Sequence, residues 1–112
     1  MAAQRRRLAH RLSCRAAYLA AAAAVAAETG TALATVTAPA RRGRWSAPQG
    51  FARRAALYVT VTSGGVSISA LARVLGRARR DLIRIVHRAE DERDDTALDA
   101  LYTRIEARLA PR

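Results

Sequence analysis

Apolar residues recur at Ile68, Leu71, Ala72 and Leu75, the i, i+3, i+4, i+7 spacing of one helical face, between Ser67 and Gly76. Serine is a favourable N-cap because its hydroxyl accepts from an otherwise orphaned backbone amide, and glycine is the usual C-terminal stop. A short, one-faced helix is predicted there. Beyond the glycine, Leu82, Val86 and Ala89 form a second apolar line with Ile83 and Ile85 beside it, which turns Arg80, Arg84, His87 and Arg88 outward. Two amphipathic segments joined at one glycine, the second rich in arginine, make the pattern of a helix-turn-helix. In such a motif the first helix braces and the second presents side chains to the DNA major groove. Arg77, Arg79, Arg80, Asp81 and Arg84 are then the candidate reading residues. A core helix with a solvated basic face would carry the same pattern.

Upstream, the alanine-rich run 16–27 predicts a helix over about 8–27, ending near Thr29 and Gly30, since alanine has the highest helix propensity. Leu33 and Val36 can dock on that helix, and Pro39, Gly43, Pro48 and Gly50 then mark a loop. From Phe51 the pattern resumes, with Phe51, Ala55, Tyr58, Val59 and Thr62 able to share a helical face before Gly64 and Gly65. The β-branched run 59–62 favours strand locally, but its neighbours favour helix. A last helix is predicted from a cap at Asp95 or Thr96, through Leu98, Leu101, Tyr102, Ile105 and Leu109, to Pro111. The expected fold class is all-α, a compact helical bundle containing a helix-turn-helix. Residues 1–15 are a basic extension or the start of the first helix, and 16–112 form the single domain.

Charge changes the picture. The 112 residues hold 20 basic side chains, all arginine, against 9 acidic ones, a net charge of +11 that suits a polyanionic partner. Residues 1–15 carry five arginines and no acid, residues 41–54 five more, and residues 71–88 six against Asp81 alone. The acids gather in Glu90, Asp91, Glu92, Asp94 and Asp95. Neutralising phosphates would supply most of the affinity for a nucleic acid and make it fall steeply with salt. Arginine in place of lysine, beside abundant alanine, is what a GC-rich genome produces, so it is no evidence of bidentate contacts.

Candidate chemistry of other kinds is sparse. The lone Cys14 excludes an internal disulfide, and with only His10 and His87 there is no usual metal-ligand set and no implied cofactor. Cys14 reads as a small buried hydrophobe. His10 at i−4 imitates a nucleophile's base only weakly and lacks an orienting group, so enzymatic function has no support. Arg5, Arg6 and Arg7 before the alanine run resemble the basic and apolar regions of a signal peptide. Arg11 and Arg15 interrupt the approach, however, and the run is weakly hydrophobic and too short for a bilayer, so a cytoplasmic protein without a membrane partner is expected. Trp45, beside Arg41, Arg42 and Arg44, can stack on a base, lie along a backbone or cover an apolar seam.

Taken in order, Val25-Ala26 in the first helix, the basic pair Arg41-Arg42, Arg53 with Ala56 and Tyr58, and the stretch LARVLGRARRDLIRIVHRAE resemble the C-terminal DNA-binding domain, domain IV, of the bacterial replication initiator DnaA. The resemblance runs from about residue 18 to 109. The tail VHRAEDERDDTALDALYTRIE is similar to small stand-alone DnaA-related proteins, which lack the ATPase module, and no glycine-rich phosphate loop is present here. The resemblance implies a monomer in which Arg53 enters the minor groove of double-stranded DNA, Arg41, Arg42 and Arg44 touch phosphates, and the segment from Arg77 begins the recognition helix, with Arg84 and Arg88 further along it. Arg77 and Arg79 match the family segment. Ala78 stands where the family has an acidic residue, and Arg80 and Asp81 replace two threonines that contact bases. Threonine methyls suit thymine, whereas arginine prefers guanine and aspartate accepts from a cytosine amino group. Two functions follow as expectations. One is regulation of replication initiation or transcription by duplex binding. The other is a protein-interaction module that binds the initiator itself, through Leu33, Val36 and Trp45 or through the acids at 91–95.

Overall fold

A computed structural model describes residues 1–39 and 45–111 of the chain. Among these residues the protein is all-helical, with α1 at Ala2–Thr29, α2 at Leu33–Val36, α3 at Ala47–Thr62, α4 at Ile68–Leu75, α5 at Arg79–Glu92 and α6 at Thr96–Leu109. They pack as one compact bundle. α1 lies against α2, α3, α4 and α6, and α3 against α1, α2, α5 and α6.

α1 begins at Ala2 rather than near Leu8, so the basic stretch is the start of the first helix. Arginine, glutamine and alanine are all strong helix formers, which is why the helix runs back through them. It stops at Gly30, left-handed at φ 73°, whose N–H returns to the Ala26 carbonyl at 2.9 Å. α2 is a single turn that buries Val36 while leaving Leu33 exposed.

α3 also begins earlier than expected, at Ala47, so Pro48 and Gly50 are helical rather than part of a loop. The reason is a capping box. The Ser46 hydroxyl accepts from the Gln49 N–H at 3.2 Å and the Gln49 side chain accepts from the Ser46 N–H at 3.0 Å. Pro48 falls in the first turn, where its missing N–H has no partner to lose. The β-branched end of α3 is helical and central: Val59 and Thr60 are fully buried, and the Thr60 hydroxyl donates to the Ala56 carbonyl at 2.6 Å. Thr62, expected on the core face, is exposed.

Tyr102 on α6 fills the centre of the α3–α5–α6 contact, its ring 5.2 Å from Tyr58 and 5.4 Å from Phe51. Its hydroxyl donates to Glu92 at 3.2 Å, and Glu92 also takes Arg54 at 3.4 Å. Arg93 binds Asp99 at 2.6 Å and Glu106 at 3.0 Å. Burial alone would lower the Arg93 pKa, but its bonds to Asp99, Tyr58 and Glu106 outweigh this and raise it. Asp95 caps α6 by accepting from the Leu98 N–H at 3.0 Å. Glu92 and Asp95 of the acidic cluster at 90–95 are therefore used internally. Among the described residues no helix is long and apolar enough to cross a membrane.

Candidate nucleic-acid interface

α4 and α5 are held in register by backbone geometry at both ends of α4. Ser67 accepts from the Ala70 N–H at 3.1 Å. Gly76 is left-handed at φ 63°, its N–H bonds the Arg73 carbonyl at 3.4 Å, and the Arg77 N–H bonds the Ala72 carbonyl at 2.9 Å. These two bonds form a Schellman motif, which needs a residue without a Cβ penalty at positive φ. The connection is only 76–78, so α5 starts almost where α4 stops. Leu71 and Leu82, both essentially inaccessible, bury the two inner faces in the shared core.

The outer face of α5 carries Arg80, Arg84 and Arg88 at i, i+4, i+8, with His87 beside them, and all four are exposed. Arg84 is 75% exposed and its carboxylate neighbour Asp81 is 3.7 Å away, a surface pair that contributes little. Asp81 lies in the first turn of α5, where a carboxylate favours the helix dipole. Arg79 is tied back to α4 by its Nε, which donates to the Ser69 hydroxyl at 3.0 Å. Arg77 is half-buried in the connection.

Asp81 apart, the order of charge along α5 opposes its dipole. Arg79 and Arg80 occupy the positive N-terminal turn, Ala78 offers no side-chain cap, and the last turn carries acids and no base. Each such placement costs about 0.3–1 kcal/mol relative to the reverse arrangement. Folding contacts explain Glu92, which is held by Arg54 and Tyr102, but no hydrogen bond or ion pair among the described residues explains Arg80 in the first turn.

Arg53 lies elsewhere. Its Nη1 donates to the carbonyls of Thr35 and Ala38, both at 2.8 Å, and its guanidinium lies 4.2 Å over the Trp45 ring. The residue expected in a minor groove thus ties the end of α2 to α3, and Trp45 lies against that same brace. Val36 is buried, so only Leu33 of the expected apolar patch faces solvent alongside half-buried Trp45. Arg41, Arg42 and Arg44 lie outside the described residues.

Tyr18 on α1 points its hydroxyl at the Val36 carbonyl, 3.5 Å away. Burial pushes its pKa up, while the positive charges of Arg53, Arg77 and Arg15, which line one cleft with it, pull it down. Sequence patterns had no access to this cleft, because the three arginines come from α1, α3 and the α4–α5 connection. Cys14 is buried, with the His10 Nε2 at 3.6 Å from its sulfur. Among the described residues no three His, Cys, Asp or Glu side chains cluster as metal ligands. The chain matches no protein-family model, no curated protein and no solved structure.

Proposed function

We propose that this protein is a double-stranded DNA-binding protein of the DnaA domain IV type, which places α5 in the major groove and regulates replication initiation or transcription. It acts as a single copy in the cytoplasm, on the nucleoid. The observation that carries the proposal is the arginine ridge Arg80, Arg84 and Arg88, set on an exposed helix face with basic residues at the dipole end that disfavours them. A phosphate at that end would offset the cost, because helix N-termini and arginines both favour anions. The three-residue connection and the helix lengths of α4 and α5 suit a brace-and-reader pair.

Within this scheme Arg80 and Arg84 meet base edges or flanking phosphates, Arg79 is aimed by Ser69, and Asp81 either holds the helix start or accepts from a cytosine. Arg53 supports the interface as a brace. Arg41, Arg42 and Arg44 contact phosphates, on the strength of the resemblance.

The test is a fluorescence-anisotropy titration against a DnaA-box duplex and a scrambled duplex of equal length at two salt concentrations. Box binding tighter by about tenfold, or about 1.4 kcal/mol, supports base reading by α5. Equal binding that collapses with salt leaves phosphate attraction alone, and no binding at either salt turns the assignment towards a protein partner such as the initiator.

A further inference from the structure

Val74 stands at the junction of two clefts. One, of about 440 Å³, is bounded by α1, the end of α2, α3 and the α4–α5 connection and carries Arg15, Arg53 and Arg77. The other, of about 630 Å³, lies between the first turns of α1 and α4 and carries Arg7, Arg11 and Arg73 among its walls. Neither wall contains an aspartate or a glutamate.

On α1, Arg7, Arg11 and Arg15 are spaced i, i+4, i+8. The same face, continued along the helix, buries Tyr18, Ala22 and Val25. The packing face therefore changes from apolar to arginine as it passes α4, and there it meets α4's own Arg73 and then Arg77. Arg7, Arg11, Arg15 and Arg73 are exposed and Arg77 is half-buried, and like charges gathered along one groove without a counter-ion repel. None of these five arginines pairs with a carboxylate among the described residues. An intramolecular packing role would not select such a lining. A linear polyanion would relieve it.

We propose that the α1–α4 groove seats the phosphodiester backbone of the same duplex that α5 engages, so that α1 extends the footprint beyond the base pairs under α5. This rests on the duplex-binding function proposed above. Arg77 links the two surfaces, because it belongs both to the connection that starts α5 and to the wall of the first cleft. Eight helical rises of about 1.5 Å separate Arg7 from Arg15, about 12 Å of rail, which spans three to four base steps of about 3.4 Å on one strand.

The experiment compares wild type with R7Q/R11Q/R15Q on a duplex long enough to cover both surfaces, following the slope of log K against log salt, with circular dichroism as the folding control. All three side chains are exposed, so folding is retained. The expected result is a salt slope shallower by about 2–3, at about 0.9 for each phosphate no longer neutralised. An unchanged slope in a folded variant overturns the proposal.

A second variant, R80Q/R84Q/R88Q, separates this failure from failure of the α5 interface. If it binds as wild type while the α1 variant loses slope, the groove stands and the α5 assignment falls; the reverse outcome removes the groove alone. Wild-type binding to anionic lipid vesicles that the α1 variant loses, with the duplex slope unchanged, would also overturn the proposal. It would assign the rail and the neighbouring exposed Leu8 and Leu12 to a membrane surface.

Discussion

The guanidinium of Arg53 lies 4.2 Å over the ring of Trp45, while its Nη1 holds the carbonyls of Thr35 and Ala38. A charge-assisted hydrogen bond contributes about 1.5–3 kcal/mol and a cation–π contact about 0.5–1 kcal/mol, so this side chain contributes to the stability of the free protein. Arg53→Gln is predicted to lower stability by about 1–3 kcal/mol and to shift the Trp45 fluorescence to longer wavelength, with the salt slope of duplex binding unchanged. A slope reduced by about one with unaltered fluorescence would instead mark Arg53 as a direct DNA contact.

The charge order on α5 predicts a trade between stability and binding. Arg80→Glu places an acid in the first helical turn, where the dipole favours it, and should stabilise the free protein by about 0.3–1 kcal/mol in thermal unfolding. The same variant should lose duplex affinity by more than tenfold, since it removes a cation and adds an anion at the interface. A destabilised variant would contradict the account of α5.

Glu28 joins α1 to α6 through Arg108 at 2.8 Å and Arg104 at 3.3 Å. The Arg108 hydrogen bond chiefly holds its carboxyl below the ordinary value of 4.5; desolvation opposes this, and Arg104 adds to it. Because the folded pKa is the lower one, the stabilisation is present above about pH 4.5 and is lost as pH falls through the folded value. Thermal unfolding followed from neutral pH downwards should show Glu28→Gln already less stable at neutral pH and the gap to wild type closing below that point. High salt should narrow the gap at every pH.

Gly64 follows α3, and a Cβ there would run into the Thr60 carbonyl. Gly64→Ala is predicted to cost about 1–3 kcal/mol in denaturant unfolding, because the obstacle is backbone rather than a movable side chain. Leu82→Ala, at a site only 1% exposed, should cost about 2–5 kcal/mol by leaving a cavity beneath α5.

Local signals in the chain were sufficient for α4, because Ser67 and Gly76 act through bonds to residues a few positions away, but α5 starts at Arg79 rather than at Arg77, behind an Ala78 that has no capping side chain to mark it. The start of α3 was equally local, but Pro48 and Gly50 suggest a loop more loudly than Ser46 and Gln49 suggest a capping box. The Val-Thr-Val-Thr run is helical because Val59 and Thr60 are buried on several sides at once, which local propensity does not register. Arg80, Arg84 and Arg88 are exposed where the periodicity put them. The brace by Arg53, the Arg54–Glu92–Tyr102 network and the α1–α4 groove all join residues distant in sequence, so no spacing rule reaches them. Arginine alone cannot say whether it will face a carbonyl, a carboxylate or solvent.

The most direct measurement is the affinity of R80Q/R84Q/R88Q for duplex DNA across a salt series, with wild type alongside and circular dichroism to confirm the fold. The variant should keep its helices, bind at least about tenfold more weakly and have a salt slope shallower by about 2–3. A folded variant that binds the duplex as tightly as wild type, with the same slope, would contradict the assignment of α5 as the DNA-binding surface.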